Sequence, residues 1–315
     1  MRWFALLSLV LFVSPQSSSA QQVPDSSYAP AIAQPAFAPG SGPRVLIDEA
    51  HHNFHTAGDR YYPFAALLRR DGFQVDASDH RFDRESLAPA KILVIANALG
   101  DRNRIRADST DWSLPTPSAF TPEEVEAVRK WVEEDGGSLF LIADHMPMGG
   151  AAADMAAAFG LIFTNGFARD TLDTSGTMIF RRANGTLIDH PVTNGRSEAE
   201  RIDSVATFTG QAFRPIDRPI TRVDPILRMG PGMIQLYPET AWQFTDSTRV
   251  EPVDGWMQGA VIRFGKGRVA AFGEAAMFTA QLAGPSRQPA GMNTPVAVQN
   301  HQFLLNIVRW LAGVY

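Results

Sequence analysis

The chain has 315 residues, of which 45% are hydrophobic, and it carries a formal net charge of −5 without a single cysteine. The absence of cysteine excludes disulfides, thiol chemistry and lipid attachment to a cysteine. The mildly acidic balance, with no long run of Lys or Arg, argues against nucleic acid and anionic membranes as partners. These properties are typical of a globular protein that binds neither.

The first 20 residues have the pattern of a secretory signal peptide. Arg2 supplies a short positive region, residues 3–13 are apolar, and Ser18 and Ala20 form a small-residue cleavage site. The apolar run is too short to span a bilayer, although an uncleaved membrane anchor is the alternative interpretation. We expect cleavage near Ala20 and an exported mature protein, periplasmic or secreted, without a membrane span.

Residues 21–43 contain five prolines among Ser, Ala and Gln. This composition is typical of an extended linker, so we predict one between the export signal and the folded domain.

From residue 44 onward, apolar runs alternate with helical patterns. Strands are predicted at 44–48, 73–78, 91–97 and 138–144, and helices at 60–72, 120–137 and 149–160. Thr121 and Glu124 form a capping box around Pro122, which marks the start of the second helix. Such alternation predicts an open, mainly parallel sheet with right-handed crossovers.

The pattern becomes turn-rich and less periodic after about residue 165. Residues 259–275 then read as two strands joined by a tight turn at 265–267, and residues 298–315 as an amphipathic helix. No internal repeat is visible. We therefore predict one α/β domain over residues 44–315 that ends with an antiparallel β-hairpin and a helix.

Polar residues follow three of the predicted strands. In open α/β sheets, ligands bind beyond the carboxyl ends of the strands, so these clusters should converge on one edge. The candidate catalytic residues are His51, His52, Asp144, His145 and Glu274. The candidate ligand-binding residues are Asp48, Glu49, Asn53 and His55.

Each cluster also has a structural interpretation. Asp48 or Glu49 could cap a following helix, His51 and His52 could be ordinary loop residues, and Asp144 with His145 could be turn residues. An isolated Glu274 would need a partner in any case, because a buried unpaired charge is costly.

Two mechanisms suit these residues: metal-assisted hydrolysis, and metal-free acid–base chemistry with a histidine paired to a carboxylate. The adjacent His51 and His52 cannot easily face one point on a strand, so the metal-free mechanism is favoured. No cofactor is predicted, and a divalent metal ion is the less favoured alternative. The chain has no Gly-x-Ser-x-Gly elbow, phosphate loop or dinucleotide fingerprint.

Several motifs in chain order resemble a group of uncharacterised secreted bacterial proteins related to the class I glutamine amidotransferase-like superfamily. They are VLIDEAHHNFHT at 45–56, FTPEEVEAVRKWVEEDGGSLFLIADH at 120–145, and GKGRVAAFGEAAMFTAQ at 265–281. The resemblance extends over residues 44–313. It implies a flavodoxin-like, mainly parallel sheet with helices on both faces and a C-terminal hairpin. It does not imply glutaminase activity, because amidotransferases of this fold use a cysteine nucleophile and this chain has none.

Two hypotheses about function follow. The first is an exported, hydrolase-like enzyme acting on a small polar or carbohydrate-type substrate in a pocket at the strand ends. The second is a non-catalytic ligand-binding or scaffold module that kept the pocket and lost the chemistry. If the first is right, the five candidate catalytic side chains should line one cleft. The sequence predicts no particular protein partner.

Overall fold

A computed structural model describes residues 22–107, 109–173, 175–217 and 221–315. The predicted signal peptide lies outside these residues. The strands of the described chain are β1 (Gln22–Pro24), β2 (Arg44–Asp48), β3 (Gln74–Ser78), β4 (Ile92–Ala96), β5 (Ser138–Ile142), β6 (Leu161–Phe163), β7 (Phe167–Asp170), β8 (Met178–Arg181), β9 (Ser204–Thr207), β10 (Phe213–Pro215), β11 (Val223–Arg228), β12 (Met233–Tyr237), β13 (Arg249–Pro252), β14 (Met257–Phe264), β15 (Gly267–Phe272), β16 (Ala280–Ala283) and β17 (Gln288–Gly291). Its α-helices are α1 (Tyr62–Arg70), α2 (Arg84–Leu87), α3 (Pro122–Glu133), α4 (Met148–Ala151), α5 (Ala153–Ala158), α6 (Pro191–Asn194) and α7 (Asn300–Ala312). Within these ranges no helix is long and apolar enough to cross a membrane.

The largest sheet has the strand order β3-β2-β4-β5-β15-β14-β10-β6, with β11 also paired to β14. The neighbouring strands from β3 to β15 are parallel, whereas β14, β10, β11 and β6 join by antiparallel pairing. The predicted parallel arrangement of 44–48, 91–97 and 138–144 is confirmed, as is the antiparallel hairpin near the C-terminus. The fold is therefore mixed α/β.

Both faces of the parallel region are covered by helices. Successive residues of a strand point to opposite faces, and the side chains of β5 alternate between two apolar clusters. One cluster contains buried residues of α1 and α7, and the other contains buried residues of α3 and α5. This double burial explains why every residue of β4 and β5 is buried and why all of them except Ser138 are apolar.

The capping box that begins α3 is confirmed, with the side chains of Thr121 and Glu124 bonded to each other's backbone N–H groups. The single helix predicted at 149–160 is instead two short helices, α4 and α5. Ala152 interrupts them with φ −97° and ψ 2°, and the N–H of Ala119 binds the carbonyl of Ala151 at 2.9 Å. A tertiary contact thus overrides the helical pattern.

The predicted linker is corrected over its described residues, 22–43. β1 pairs antiparallel with β16, and Phe37 packs edge-on against Phe73 with ring centroids 5.1 Å apart. The carbonyl of Gln34 accepts a hydrogen bond of 3.0 Å from Arg309, a buried residue of α7. Proline-rich composition predicted an unattached segment, but its few aromatic residues and free backbone groups attach it to the domain.

Candidate functional site

A cleft of about 380 Å³ lies at the carboxyl ends of the parallel strands. Asn97 directly follows β4, while Asp144 and Glu274 follow β5 and β15. Because these strands are parallel and adjacent, their ends bring the three side chains to one edge of the sheet. The residues lining the cleft are Gln22, Phe54, His55, Arg60, Asn97, Trp112, Asp144, His145, Met148, Phe208, Trp242, Glu274, Ala276, Gln281, Ala290 and Gly291.

Glu274 is almost completely buried in the wall of the cleft. Its carboxyl oxygens accept hydrogen bonds from the N–H groups of Ala276 at 2.8 Å and Met277 at 2.7 Å. Burial and the nearby charge of Asp144 nevertheless raise the pKa of Glu274 well above its usual range. Gly210 lets its backbone lie close to the segment that carries Glu274, because a Cβ at position 210 would be 2.2 Å from the carbonyl oxygen of Gly273. At neutral pH Glu274 can therefore hold a proton.

One ring nitrogen of His145 forms a hydrogen bond to the backbone, and the other can act as a base. Its Nδ1 lies 2.7 Å from the carbonyl oxygen of Met146, which can only accept, so Nδ1 carries the hydrogen. In the neutral ring Nε2 is then an unprotonated base, 3.9 Å from a carboxylate oxygen of Asp144. The ring stacks on Phe167 with centroids 4.3 Å apart, which fixes its orientation.

Asn97 connects Asp144 to His55. Its Oδ1 accepts the backbone N–H of Asp144 at 2.8 Å, and this contact fixes the orientation of the amide. Its Nδ2 therefore donates to Nδ1 of His55 at 3.1 Å, so the hydrogen of neutral His55 is on Nε2. Burial and the charge of Arg60 lower the pKa of His55 to about 3. His55 is thus a neutral donor in the wall of the cleft.

His51 is not in the cleft, and its predicted catalytic place there is corrected. Its Nδ1 binds both oxygens of Asp48 at 2.9 and 3.0 Å, and its Nε2 binds Glu124 at 3.0 Å. Burial opposes a charge on the ring, but these two carboxylates outweigh it and raise the pKa of His51. With two carboxylates as partners, the ring is a buried imidazolium that ties the end of β2 to the start of α3.

His52 also lies away from the cleft. It has a positive φ of 50°, its side chain is 40% exposed, and its Nε2 is 3.5 Å from Asp101. The expectation that all five candidate catalytic side chains line one cleft is therefore wrong for both histidines.

The other candidate ligand-binding residues support the loop that follows β2. Asn53 donates to Asp48 at 2.9 Å, and Glu49 accepts the N–H of Ala57 at 2.8 Å. Asp48, Glu49 and Asn53 do not line the cleft among the described residues. Of the four, only His55 does.

Several cleft residues were not selected from the sequence. Asn97 is the last position of the predicted strand 91–97, and Trp112 and Trp242 carry no signal of their own in the sequence. Arg60 was placed on a predicted helix, but it lies just before α1 with its guanidinium 4.0 Å above the ring of Phe54. In the described ranges, no group of three or more His, Asp or Glu side chains is arranged to hold a metal ion.

No protein-family model matches the chain, and no curated protein matches it. The chain is similar to the solved structure of the mmIFT52 N-terminal domain, with 12% identity and a TM-score of 0.53 over 85% of this chain and 96% of that one. It is also similar to a protein described as ThuA-like from Bacteroides uniformis, with 16% identity and a TM-score of 0.47 over 90% and 94% of the two chains. At such low identity, the similarity to the mmIFT52 domain shows a shared fold alone.

Proposed function

We propose that the cleft is the acid–base active site of a hydrolase-like enzyme that acts on a small polar or carbohydrate-type substrate. The observation that carries the proposal is the pair Asp144 and Glu274, two carboxyl groups in one cleft of which the second has a strongly raised pKa. Groups whose environments push their pKa values apart suit the separate tasks of acid and base.

In this mechanism, Nε2 of His145, or Asp144 beside it, takes a proton from a water molecule. The resulting hydroxide attacks the substrate as the bond to the leaving group breaks. Protonated Glu274 gives its proton to the leaving oxygen, so the proton taken from water is balanced by the one delivered. His55 Nε2–H and Arg60 are available to bind oxygen atoms of the substrate.

The walls of the cleft favour a ring-shaped polar substrate. Phe54, Trp112, Phe208 and Trp242 present aromatic surface, and the polar groups described above line the same cleft. Aromatic faces pack against the C–H faces of a sugar, while carboxylates and imidazoles bind its hydroxyl groups.

We further propose that the chain is a cysteine-less member of the glutamine amidotransferase-like superfamily with a flavodoxin-like fold, and is not a glutaminase. The motifs quoted above and the parallel sheet support this assignment.

We also propose that the protein is exported and that the mature chain begins near Gln21. The next residue, Gln22, lines the cleft. Expression with the native leader, followed by intact-mass measurement of the soluble product, tests the processing step.

The function is tested with panels of nitrophenyl glycosides and nitrophenyl esters. We expect turnover of at least one probe, and a loss of about 100-fold or more in kcat for Asp144→Asn, His145→Gln and Glu274→Gln. The adjacent pair Asp79 and His80 is exposed and has the same residue types, so Asp79→Asn and His80→Gln are matched controls. Unchanged turnover in all three cleft variants would refute the proposal.

A non-catalytic ligand-binding module is the second candidate. It is favoured by the two backbone N–H groups that already hold the carboxyl of Glu274, an arrangement that also suits a structural carboxylate. Saccharide binding that is weakened by Asp144→Asn, without turnover of any probe, would support this candidate instead.

We propose that the chemistry needs no metal ion. Elemental analysis of protein purified without chelator or histidine tag tests this, since near-stoichiometric zinc, iron or manganese that is lost in His145→Gln would contradict it.

A further inference from the structure

A second cleft, of about 310 Å³, adjoins the first. Its lining includes Arg169 and Asp170 of β7, together with Thr177, Thr209 and Trp242. Trp242 lines both clefts, so they meet at this side chain.

Trp242 is held in an unusual conformation at this junction. Its φ is +67°, in the left-handed region that a bulky L residue rarely adopts, yet 52% of the residue remains exposed. Its ring makes edge contacts with His145 and Phe167, with centroids 4.7 and 4.8 Å away. The fold gains little burial in return for the strain, which points to a role in presenting the indole.

A second strained residue stands at the same boundary. Phe208 lines the first cleft and Thr209, with φ +118°, lines the second. The carbonyl of Thr209 accepts a hydrogen bond of 2.7 Å from the buried Gln258, which holds this backbone in place. Strained residues that are fixed by their surroundings cluster at ligand sites.

The chemistry of the second cleft resembles that of the first. It has hydroxyl groups at Thr177 and Thr209, carboxylates at Asp170 and Asp173, and a guanidinium at Arg169 that lies 4.7 Å above the ring of Phe244. Carboxylates in both clefts disfavour a polyanionic ligand, because like charges repel. Hydroxyl, carboxylate and guanidinium groups together suit a neutral ligand with many hydroxyl groups.

We propose that the two clefts are subsites of one groove for a neutral oligosaccharide, with Trp242 as the stacking platform between them. This inference rests on the proposed function and deepens it: the substrate is a chain of sugar units, and a single sugar fills only one subsite.

The test is calorimetric titration with neutral β-1,4-linked gluco-, xylo- and manno-oligosaccharides of one to six units. For at least one series we expect the tetramer to bind about tenfold or more tighter than the monomer. Trp242→Ala should remove most of this gain and weaken tetramer binding by a larger factor than monomer binding, whereas Trp242→Phe should keep part of the gain. Tyr62→Ala, at another exposed aromatic residue, is the control. Glycine adopts a positive φ without strain, so Trp242→Gly removes the indole without the backbone strain that could impair folding of Trp242→Ala.

Affinity that does not change with length, or a length gain that survives in Trp242→Ala, would overturn the two-subsite groove. If nitrophenyl probes are still turned over in either case, the proposed function stands. Failure of every saccharide to bind overturns the groove as well, and loss of turnover in the same preparations would reject both proposals.

Discussion

Asn97 donates its side-chain Nδ2–H to Nδ1 of His55 across 3.1 Å. Asn97 lies directly after β4 with a positive φ of 51°, and His55 lies in the loop after the neighbouring strand β2. The same amide accepts the N–H of Asp144 after β5. One side chain therefore sets the relative positions of residues after three adjacent strands, and it also selects the tautomer of His55.

Asn97→Asp should raise the pKa of His55 from its value of about 3. The carboxylate cannot donate to Nδ1, and its negative charge favours the protonated ring, so we expect a rise of about one unit or more. A long-range ¹H–¹⁵N titration of the imidazole signals measures it. Asn97→Gly, which accepts the positive φ but has no side chain, is the control; an equal rise there would assign the effect to loss of the amide alone.

The sequence predicted the edge of the sheet where the cleft lies, because buried apolar runs that alternate with helical patterns indicate parallel strands whose carboxyl ends share one edge. Asp144 and Glu274 were found in this way, as the first polar residues after apolar strands. The sequence could not predict which way each loop turns. His51, His52 and His55 lie within five positions, yet they occupy a buried ion pair, the solvent-exposed surface and the cleft.

Other parts of the site depend on contacts between distant segments, which no local pattern encodes. Trp242 reaches the cleft because the N–H of Ala241 binds the carbonyl of Trp112 at 2.9 Å, across 129 positions of the chain. Gln22 reaches it because β1 pairs with β16. The short strand β7 likewise pairs antiparallel with the distant β12, and the turn-rich sequence between residues 161 and 252 shows little periodicity.

His51→Ala should destabilise the protein strongly, and His52→Ala should not. Removing the imidazolium leaves two buried carboxylates without their shared partner, and we expect a loss of about 3 kcal/mol in the free energy of unfolding at pH 6. His52 lies at the surface, so its replacement should change the free energy of unfolding by less than about 0.5 kcal/mol. Urea unfolding measures both.

The pH dependence of this loss has a definite sign. The folded state raises the pKa of His51 above its ordinary 6.5, so its stabilisation is complete below pH 6.5 and disappears as the pH rises through the folded-state value. The difference between wild type and His51→Ala should therefore shrink in alkaline solution. If the difference in unfolding free energy grew with pH, it would contradict the conclusion that His51 is a buried imidazolium.

Asp144→Asn should lower the pKa of Glu274, because it removes one of the two causes that raise it. Carbon-13 titration of the glutamate carboxyl signals follows the change, with Asp79→Asn as control. A raised carboxyl pKa contributes stability that is complete below the ordinary 4.5 and is lost as the pH rises through the folded-state value. In Asp144→Asn this loss should occur at lower pH. A Glu274 pKa that does not respond would mean that the two groups do not interact.

Removal of residues 1–43 should lower the free energy of unfolding by about 2 kcal/mol or more, whereas an unattached linker could be removed without effect. β1 would leave the edge of β16 unpaired, Phe73 would lose the ring of Phe37, and Arg309 would lose the carbonyl of Gln34. Phe37→Ala in the full chain should give part of this loss, and Ser26→Ala, at an exposed position, should give none. The deletion should also weaken saccharide binding, since Gln22 lines the cleft and its strand pairs with β16, which carries the cleft residue Gln281. Equal urea midpoints for the shortened and full chains would show that the segment adds nothing to the fold.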